Sequence, residues 1–222
     1  MGKVIIIGGK GTAIVVAEQI FDAQTKHKAD IEFLGFAFDD EACGDEINGF
    51  PVLAKTREVF GKYKDYDDVK FIFQLYRPDL LRERIELKNS YSIPEDRFCT
   101  FIHPTCTISR SATIGTGTVI MANTVVNPNA VIGKFCTIQS NVTIGHDSKM
   151  GDYNFIATQS TVGNIVMGSR NFMGINSCTN NFITIGDDCF IGMASNVVKS
   201  LPSNIKVYGN PAKEFFKAIK PL

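Results

Sequence analysis

The residues of this chain best suited to chemistry are a histidine and the aspartate after it, His146-Asp147, preceded by Gly145. An imidazole titrates near neutral pH, so a histidine held outward by the fold can take a proton from an attacking nucleophile. A second candidate is the run Gly8-Gly9-Lys10-Gly11-Thr12, which follows a β-branched segment at once. Its glycines would let the backbone come close to a diphosphate, and a helix beginning there would favour the negative charge. As a dinucleotide fingerprint the run is incomplete, because Ile14 stands where a third glycine belongs. Asp39 and Asp40, ending a second apolar run, are candidates for contacts to a ribose or uracil and equally ordinary carboxylates of a turn. The six cysteines contain no Cys-x-x-Cys pair, and with three scattered histidines they give no metal-ligand spacing. No metal is expected.

The element that must hold His146 announces itself as a beat of six. Ile102, Ile108, Ile114, Ile120, Val126, Ile132, Ile138, Ile144, Met150, Ile156 and Val162 follow one another at that interval. After a slip of one residue the beat resumes at Met167, Met173, Ile185, Ile191 and Val197, with Thr179 the dissenter. Four residues after most of these comes a small or modest side chain, and glycine recurs one residue after many of them. Such a period fits neither a 3.6-residue helix nor a long alternating strand; it fits a coil of short strands with a turn every six residues. The aliphatic residue points into a narrow prism, the small one packs beside it, and glycine serves the corner. Three hexads close one triangular coil, and five to six coils at about 4.8 Å each make a rod roughly 25 Å long. His146 follows inward Ile144 by two residues, which puts it at a corner and turns it outward. Neighbours on a flat strand point to opposite faces, so any pairing of His146 with Asp147 also requires the corner. Cys106, Cys136 and Cys189 fall in the small slot and read as small buried apolar residues of a reducing compartment.

The beat starts near Ile102, so residues 1–100 need another fold, with the rod occupying 101–222. Strands are predicted over 3–7, 31–38 and 69–75. Thr12 would cap a helix over 12–23, and Pro78 would open a charged one. Strand alternating with helix argues a small parallel α/β sheet of Rossmann type. A short C-terminal helix is expected over 214–219, covering the end strand of the rod. Lys plus Arg equals Asp plus Glu, 23 each, which gives no electrostatic case for nucleic acid or an anionic membrane. No apolar run is long enough to span a bilayer, and the first glycine loop comes too soon for a signal peptide. A cytoplasmic protein without membrane insertion is expected.

The run 138–150 with its Gly145-His146-Asp147, the stretch Val162-Gly163-Asn164, the stretch Gly174-Ile175-Asn176-Ser177-Cys178 and the ending Gly209-Asn210-Pro211-Ala212-Lys213 together carry a resemblance. The chain resembles the hexapeptide-repeat sugar acyltransferases over nearly its whole length. The likeness is greatest to the branch of bacillosamine-pathway and perosamine N-acetyltransferases and sialic acid O-acetyltransferases. The resemblance implies a left-handed parallel β-helix that assembles as a homotrimer with active sites between neighbouring rods. It implies transfer of an acetyl group from acetyl-CoA to an amino group of a nucleotide-activated sugar. His146 would be the general base, Asp147 the group that holds the imidazole, and the Gly163 N–H an oxyanion donor turned outward by a bulge at the slip. Gln139 stands where relatives carry an asparagine that helps the acceptor or the histidine. Ile175 matches a coenzyme contact, while Phe155 replaces a second histidine associated with the coenzyme and Met193 replaces a glycine near it. Lys213 and Lys199 are candidates for the coenzyme phosphates and equally plain surface charge. Gly9, Lys10, Gly11, Asp39 and Asp40 would meet the nucleotide sugar, and Arg77 replaces a frequent glycine. Acylation of a sugar hydroxyl, or a non-catalytic nucleotide-sugar-binding scaffold, are the alternatives. A β-helix zinc enzyme would need three histidines across an interface, for which His103 and His146 are too few.

Overall fold

The computed structural model describes residues 2–215. The chain divides after Thr100 into two compact units. In the first, β1 (Gly2–Ile7) is followed by α1 (Thr12–His27), β2 (Ile31–Ala37), the hairpin of β3 (Glu46–Ile47) and β4 (Phe50–Ala54), α2 (Val59–Tyr63), β5 (Val69–Phe73) and α3 (Leu81–Ser90). The sheet order is β3-β4-β2-β1-β5, parallel except for the β3–β4 hairpin. The run Val4 to Ile7 is buried on both sides of the central strand, as its unbroken aliphatic character requires. Ala13, Val16, Ala17, Ile20 and Ala23 give α1 its buried stripe. Two expectations need correction. Thr12 is the first helical residue, not the cap: Gly11 caps the helix, with no side-chain hydrogen bond. The helix also runs on to His27, stopped by Lys28 in the left-handed region.

The second unit is a parallel β-helix of two-residue strands with three faces. Face one runs from Thr107–Ile108 through Thr143–Ile144 to Asn196–Val197. Face two runs from Thr113–Ile114 through Lys149–Met150 to Thr184–Ile185. Face three runs from Phe101–Ile102 through Phe155–Ile156 to Lys206–Tyr208. Each strand pairs with the one eighteen residues on, as in Val125↔Thr143 and Val131↔Lys149. Across the slip the interval is seventeen, as in Lys149↔Val166, Phe155↔Phe172 and Thr161↔Cys178; it returns to eighteen and falls to sixteen in the last coil, as in Phe190↔Lys206. The aliphatic beat lines the prism: Ile120, Val126, Ile132, Ile138, Ile144, Ile156 and Val162 are buried in one cluster.

The small slot does more than save space. Thr118 Oγ1 donates to the Gly133 carbonyl (2.8 Å), Ser160 Oγ to Gly174 (2.9 Å) and Ser177 Oγ to Gly192 (2.8 Å), one coil further on. The same oxygens accept from the next coil's slot residue, as Thr118 Oγ1 does from Cys136 N–H. Buried hydroxyls are thereby satisfied and tie the coils together. Cys136 fills the slot as a buried thiol, which burial pushes up to about 12. The recurring glycine is needed for close approach, not for an unusual φ. A Cβ on Gly145 would lie 2.8 Å from the carbonyl carbon of Gly163 in the next coil. The left-handed residues stand two positions later, at Asn129, Phe135, Asp147, Tyr153 and their successors. At the carboxyl end, Lys213–Glu214 is a strand antiparallel to Lys206–Tyr208, so the expected helix does not begin at Glu214. Its remainder lies outside the described residues.

Candidate active site

His146 and Asp147 occupy the corner between Thr143–Ile144 on face one and Lys149–Met150 on face two. Asp147 is in the left-handed region (φ 59°), which brings its side chain round to its neighbour. His146 Nδ1 lies 2.6 Å from Asp147 Oδ2. The pair is open to solvent, with the two side chains 64% and 51% exposed. The hydrogen bond with His146, and secondly one from Asn129, hold the Asp147 carboxyl below its usual range. An ionised carboxylate on Nδ1–H leaves the lone pair at Nε2, the atom that accepts a proton in general-base catalysis.

The slip in the beat falls one coil beyond this corner. Between Gly145 and Lys149 the chain places His146, Asp147 and Ser148; the matching segment of the next coil, between Gly163 and Val166, holds Asn164 and Ile165 alone. The missing residue is the left-handed one. Consequently Phe182 N–H donates to the Asn164 carbonyl and Asp147 N–H to Pro128, whereas the His146 carbonyl accepts no backbone N–H among the described residues. The expected outward Gly163 N–H is not found. It donates to Thr179 Oγ1 at 2.8 Å, into the next coil. Thr179, the one residue that breaks the aliphatic beat, is there to receive it.

The remaining candidates on the rod divide. Ile175 (49% exposed) and Met193 (70% exposed) lie in successive coils at the corner between faces three and one, joined by Ala194 N–H to the Ile175 carbonyl. Lys199 and Lys213 are exposed. Gln139 Oε1 accepts from the N–H (3.0 Å) and hydroxyl (3.1 Å) of Thr158, which occupies part of its amide in bracing the corner. Phe155 is not a surface contact. It is 5% exposed and stacked on Phe172 (5.5 Å), which stacks on Phe190 (4.7 Å), so apolar packing holds it in a ladder of rings.

In the first unit the N–H groups of Gly9, Lys10, Gly11 and Thr12 donate to no protein acceptor among the described residues. Four consecutive donors at the start of α1 make a cradle for an anion. Lys10 pairs with Asp40 and lies over the Phe38 ring at 5.9 Å. That pairing holds the Asp40 carboxyl below its usual range and raises Lys10. Gly9 is required by packing, since a Cβ would lie 2.5 Å from the Phe38 ring, whereas Gly11 faces open space at φ 55°. Asp39 is exposed but already braces the fold. Its two oxygens accept the N–H (2.8 Å) and hydroxyl (2.7 Å) of Thr56, locking the strand ends together. Sequence reasoning missed Thr56, Asn129 and Thr179, whose partners lie sixteen or more residues away.

A coiled prism with an exposed His–Asp pair beside a shortened coil defines a class, which comparison with known proteins sharpens. The family model for the bacterial transferase hexapeptide (six repeats) matches residues 129–164. The acetyltransferase domain of PglB from Neisseria gonorrhoeae is similar at 25% identity and TM-score 0.80, over 97% of this chain and 100% of that one. The same domain in complex with acetyl coenzyme A is similar at 25% and 0.81, over 96% and 98%. A perosamine N-acetyltransferase variant from Caulobacter crescentus, in complex with CoA and GDP-perosamine, shares the fold at 22% identity and TM-score 0.80, over 98% of each chain. Residues 129–164 thus carry the hexapeptide-repeat signature of bacterial transferases, and the whole chain is similar in fold to these acetyltransferases. Its rod fits the left-handed form of the β-helix.

Proposed function

We propose that this protein transfers an acetyl group from acetyl-CoA to an amino group of a nucleotide-activated sugar, with His146 as general base. The observation that carries the reading is the His146 Nδ1–Asp147 Oδ2 contact of 2.6 Å at an exposed corner beside the shortened coil. Asp147 fixes the tautomer and favours the imidazolium that forms; Nε2 takes the proton from the amine as it attacks. The thioester supplies the activated acetyl group. The Gly163 N–H becomes an oxyanion donor only by leaving Thr179 Oγ1. Exposed Ile175 and Met193 suit an apolar arm of the coenzyme, and Lys199 and Lys213 suit its phosphates. The similarity to the PglB acetyltransferase domain, solved with acetyl coenzyme A, supports the same cosubstrate.

The first unit reads as a Rossmann-like domain for the nucleotide sugar. Its parallel strands run third-second-first-fourth, the order of half a doubly wound sheet, with the loop 8–12 at the end of the first strand. The four open N–H groups suit a diphosphate, and Lys10 would exchange Asp40 for it. Exposed Val131 (41%), Val166 (52%) and Phe182 (86%) flank the His146 corner on the rod and support a homotrimer that covers them. No described helix is long and apolar enough to cross a membrane, in keeping with a cytoplasmic enzyme.

The test is coenzyme release from acetyl-CoA over a panel of nucleotide amino sugars, with sedimentation for the trimer. His146→Ala should keep fold and assembly and lower kcat by a factor of about 10² to 10⁴. Because Asp147 stays ionised into mildly acidic pH, the acid limb of the kcat profile should report the imidazole alone. Rate falls as pH drops and the base is protonated. Near-normal turnover of His146→Ala removes His146 from the mechanism.

A further inference from the structure

We propose that Asn129 is a positioning residue for the His146–Asp147 pair, holding the carboxylate in the orientation that presents Nε2 as base; this rests on the acyl-transfer reading. Asn129 Nδ2 donates to Asp147 Oδ1 at 2.9 Å, while Oδ2 serves His146. One oxygen is committed to each neighbour, so the carboxylate cannot turn about χ2 without breaking a bond. Burial does not hold the pair, since both side chains are more than half exposed; the hydrogen bonds must.

The backbone is arranged for this contact. Asn129 (φ 61°) and Asp147 (φ 59°) are left-handed residues one coil apart in the same corner column, so their side chains leave the corner in the same sense. Asn129 N–H donates to Ser111 Oγ (3.0 Å) and Asp147 N–H to the Pro128 carbonyl (2.9 Å), which fixes both ends of the contact. On the other side of Asp147 the shortened coil supplies no left-handed residue, so support comes from Asn129 alone in this column. Other charges along the corner are Lys149 on the strand that follows, Arg110 two coils before and Lys199 three coils on; the next two coils offer Asn164 and Asn181, which are neutral. Asn129 can therefore donate without altering the charge on which the imidazole depends.

Two variants separate the amide from the fold. Asn129→Gly deletes the donor at a position where glycine is at ease. Asn129→Asp keeps size and backbone preference but turns donor into acceptor. In the full-length protein the imidazole of His146 is followed by NMR against pH, its resonance assigned by its absence in His146→Ala. Asn129→Asp should raise its titration midpoint by about 0.5 to 1 pH unit, because a second carboxylate favours the imidazolium. The acid limb of kcat should move by the same amount. Asn129→Gly should lower kcat roughly 3- to 10-fold, with KM for both substrates unchanged and thermal midpoint within about 2 °C, a modest share of a general base's usual worth. An unmoved titration in Asn129→Asp, or unchanged kcat in Asn129→Gly, overturns the proposal. Normal turnover of His146→Ala overturns the acyl-transfer reading instead, and the titration still decides the contact.

Discussion

Two corner columns of the same rod differ in whether every coil keeps its left-handed residue, and much follows from that. The column between faces two and three is unbroken: Gly117, Phe135, Tyr153, Arg170, Asp188 and Asn204 are all left-handed. The Phe135 ring covers Gly117 and stacks on Tyr153 at 5.2 Å, and Arg170 makes a two-pronged bond to Asp188, each prong 2.9 Å. Each of these corners receives the next coil's N–H on a carbonyl, as in Tyr153 to Lys134 and Arg170 to Asp152. The column between faces one and two begins alike with Asn129 and Asp147, then loses its left-handed residue in the coil of Gly163 and resumes at Phe182. The filled column spends its side chains on packing. The broken one leaves an imidazole and a carboxylate exposed, and a carbonyl without a backbone N–H partner among the described residues. On the proposed reading, the chemistry of this repeat sits where the repeat fails.

Repairing the broken column is the severest challenge to that contrast. A glycine inserted between Asn164 and Ile165 restores the eighteen-residue spacing and can adopt the left-handed conformation. The new residue would stand over Asp147, and its N–H would give the His146 carbonyl a partner. Thermal unfolding should show equal or higher stability, while acetyl transfer falls by at least about 100-fold, as when the base is lost. Activity retained in this variant would mean that the gap has no part in the reaction.

Damaging the filled column should do the reverse. Arg170→Ala removes both bonds to Asp188, whose side chain is 17% exposed. Losing one partner of a half-buried pair costs about 1–3 kcal/mol, between the values for exposed and buried pairs. The thermal midpoint should drop by roughly 2–10 °C. kcat and both KM values should stay within about twofold. A large kcat effect at unchanged stability would place chemistry at this corner too.

The coil, its register and the position of His146 were legible because a period of six admits one architecture, and the slip after Val162 marked the break. The partners of the site were not. Asn129 reads as a solvated turn residue until the coil brings it one layer from Asp147, and Thr179 reads as noise in the beat until its hydroxyl meets Gly163. The burial of Phe155 is not legible in the motif that aligns it with a coenzyme-associated histidine; its neighbours Phe172 and Phe190 become a stack only at the coil interval. In the first unit the short hairpin Glu46–Ile47 with Phe50–Ala54 carries too few alternating residues to announce itself, although it supplies Ile47 against Gly9.

The smallest expected effect concerns Thr179. Its hydroxyl accepts the Gly163 N–H in place of the backbone carbonyl that serves the other corners. Thr179→Val keeps the shape and removes the acceptor. An N–H left unpaired in a partly buried place costs about 1–3 kcal/mol, and the apolar side chain regains part of that at an inward position. The net loss should be about 1 kcal/mol, a midpoint lower by roughly 2–4 °C. Two outcomes for turnover then separate the roles of the two groups. If the hydroxyl merely satisfies the backbone, kcat changes less than about threefold. Should the hydroxyl itself be the donor that meets the oxyanion, its removal lowers kcat by about 10² to 10³, the usual worth of one such donor. Thr179→Ser should restore turnover in the second case and stability in both. The first outcome is expected, since in this conformation the hydroxyl is engaged within the coil.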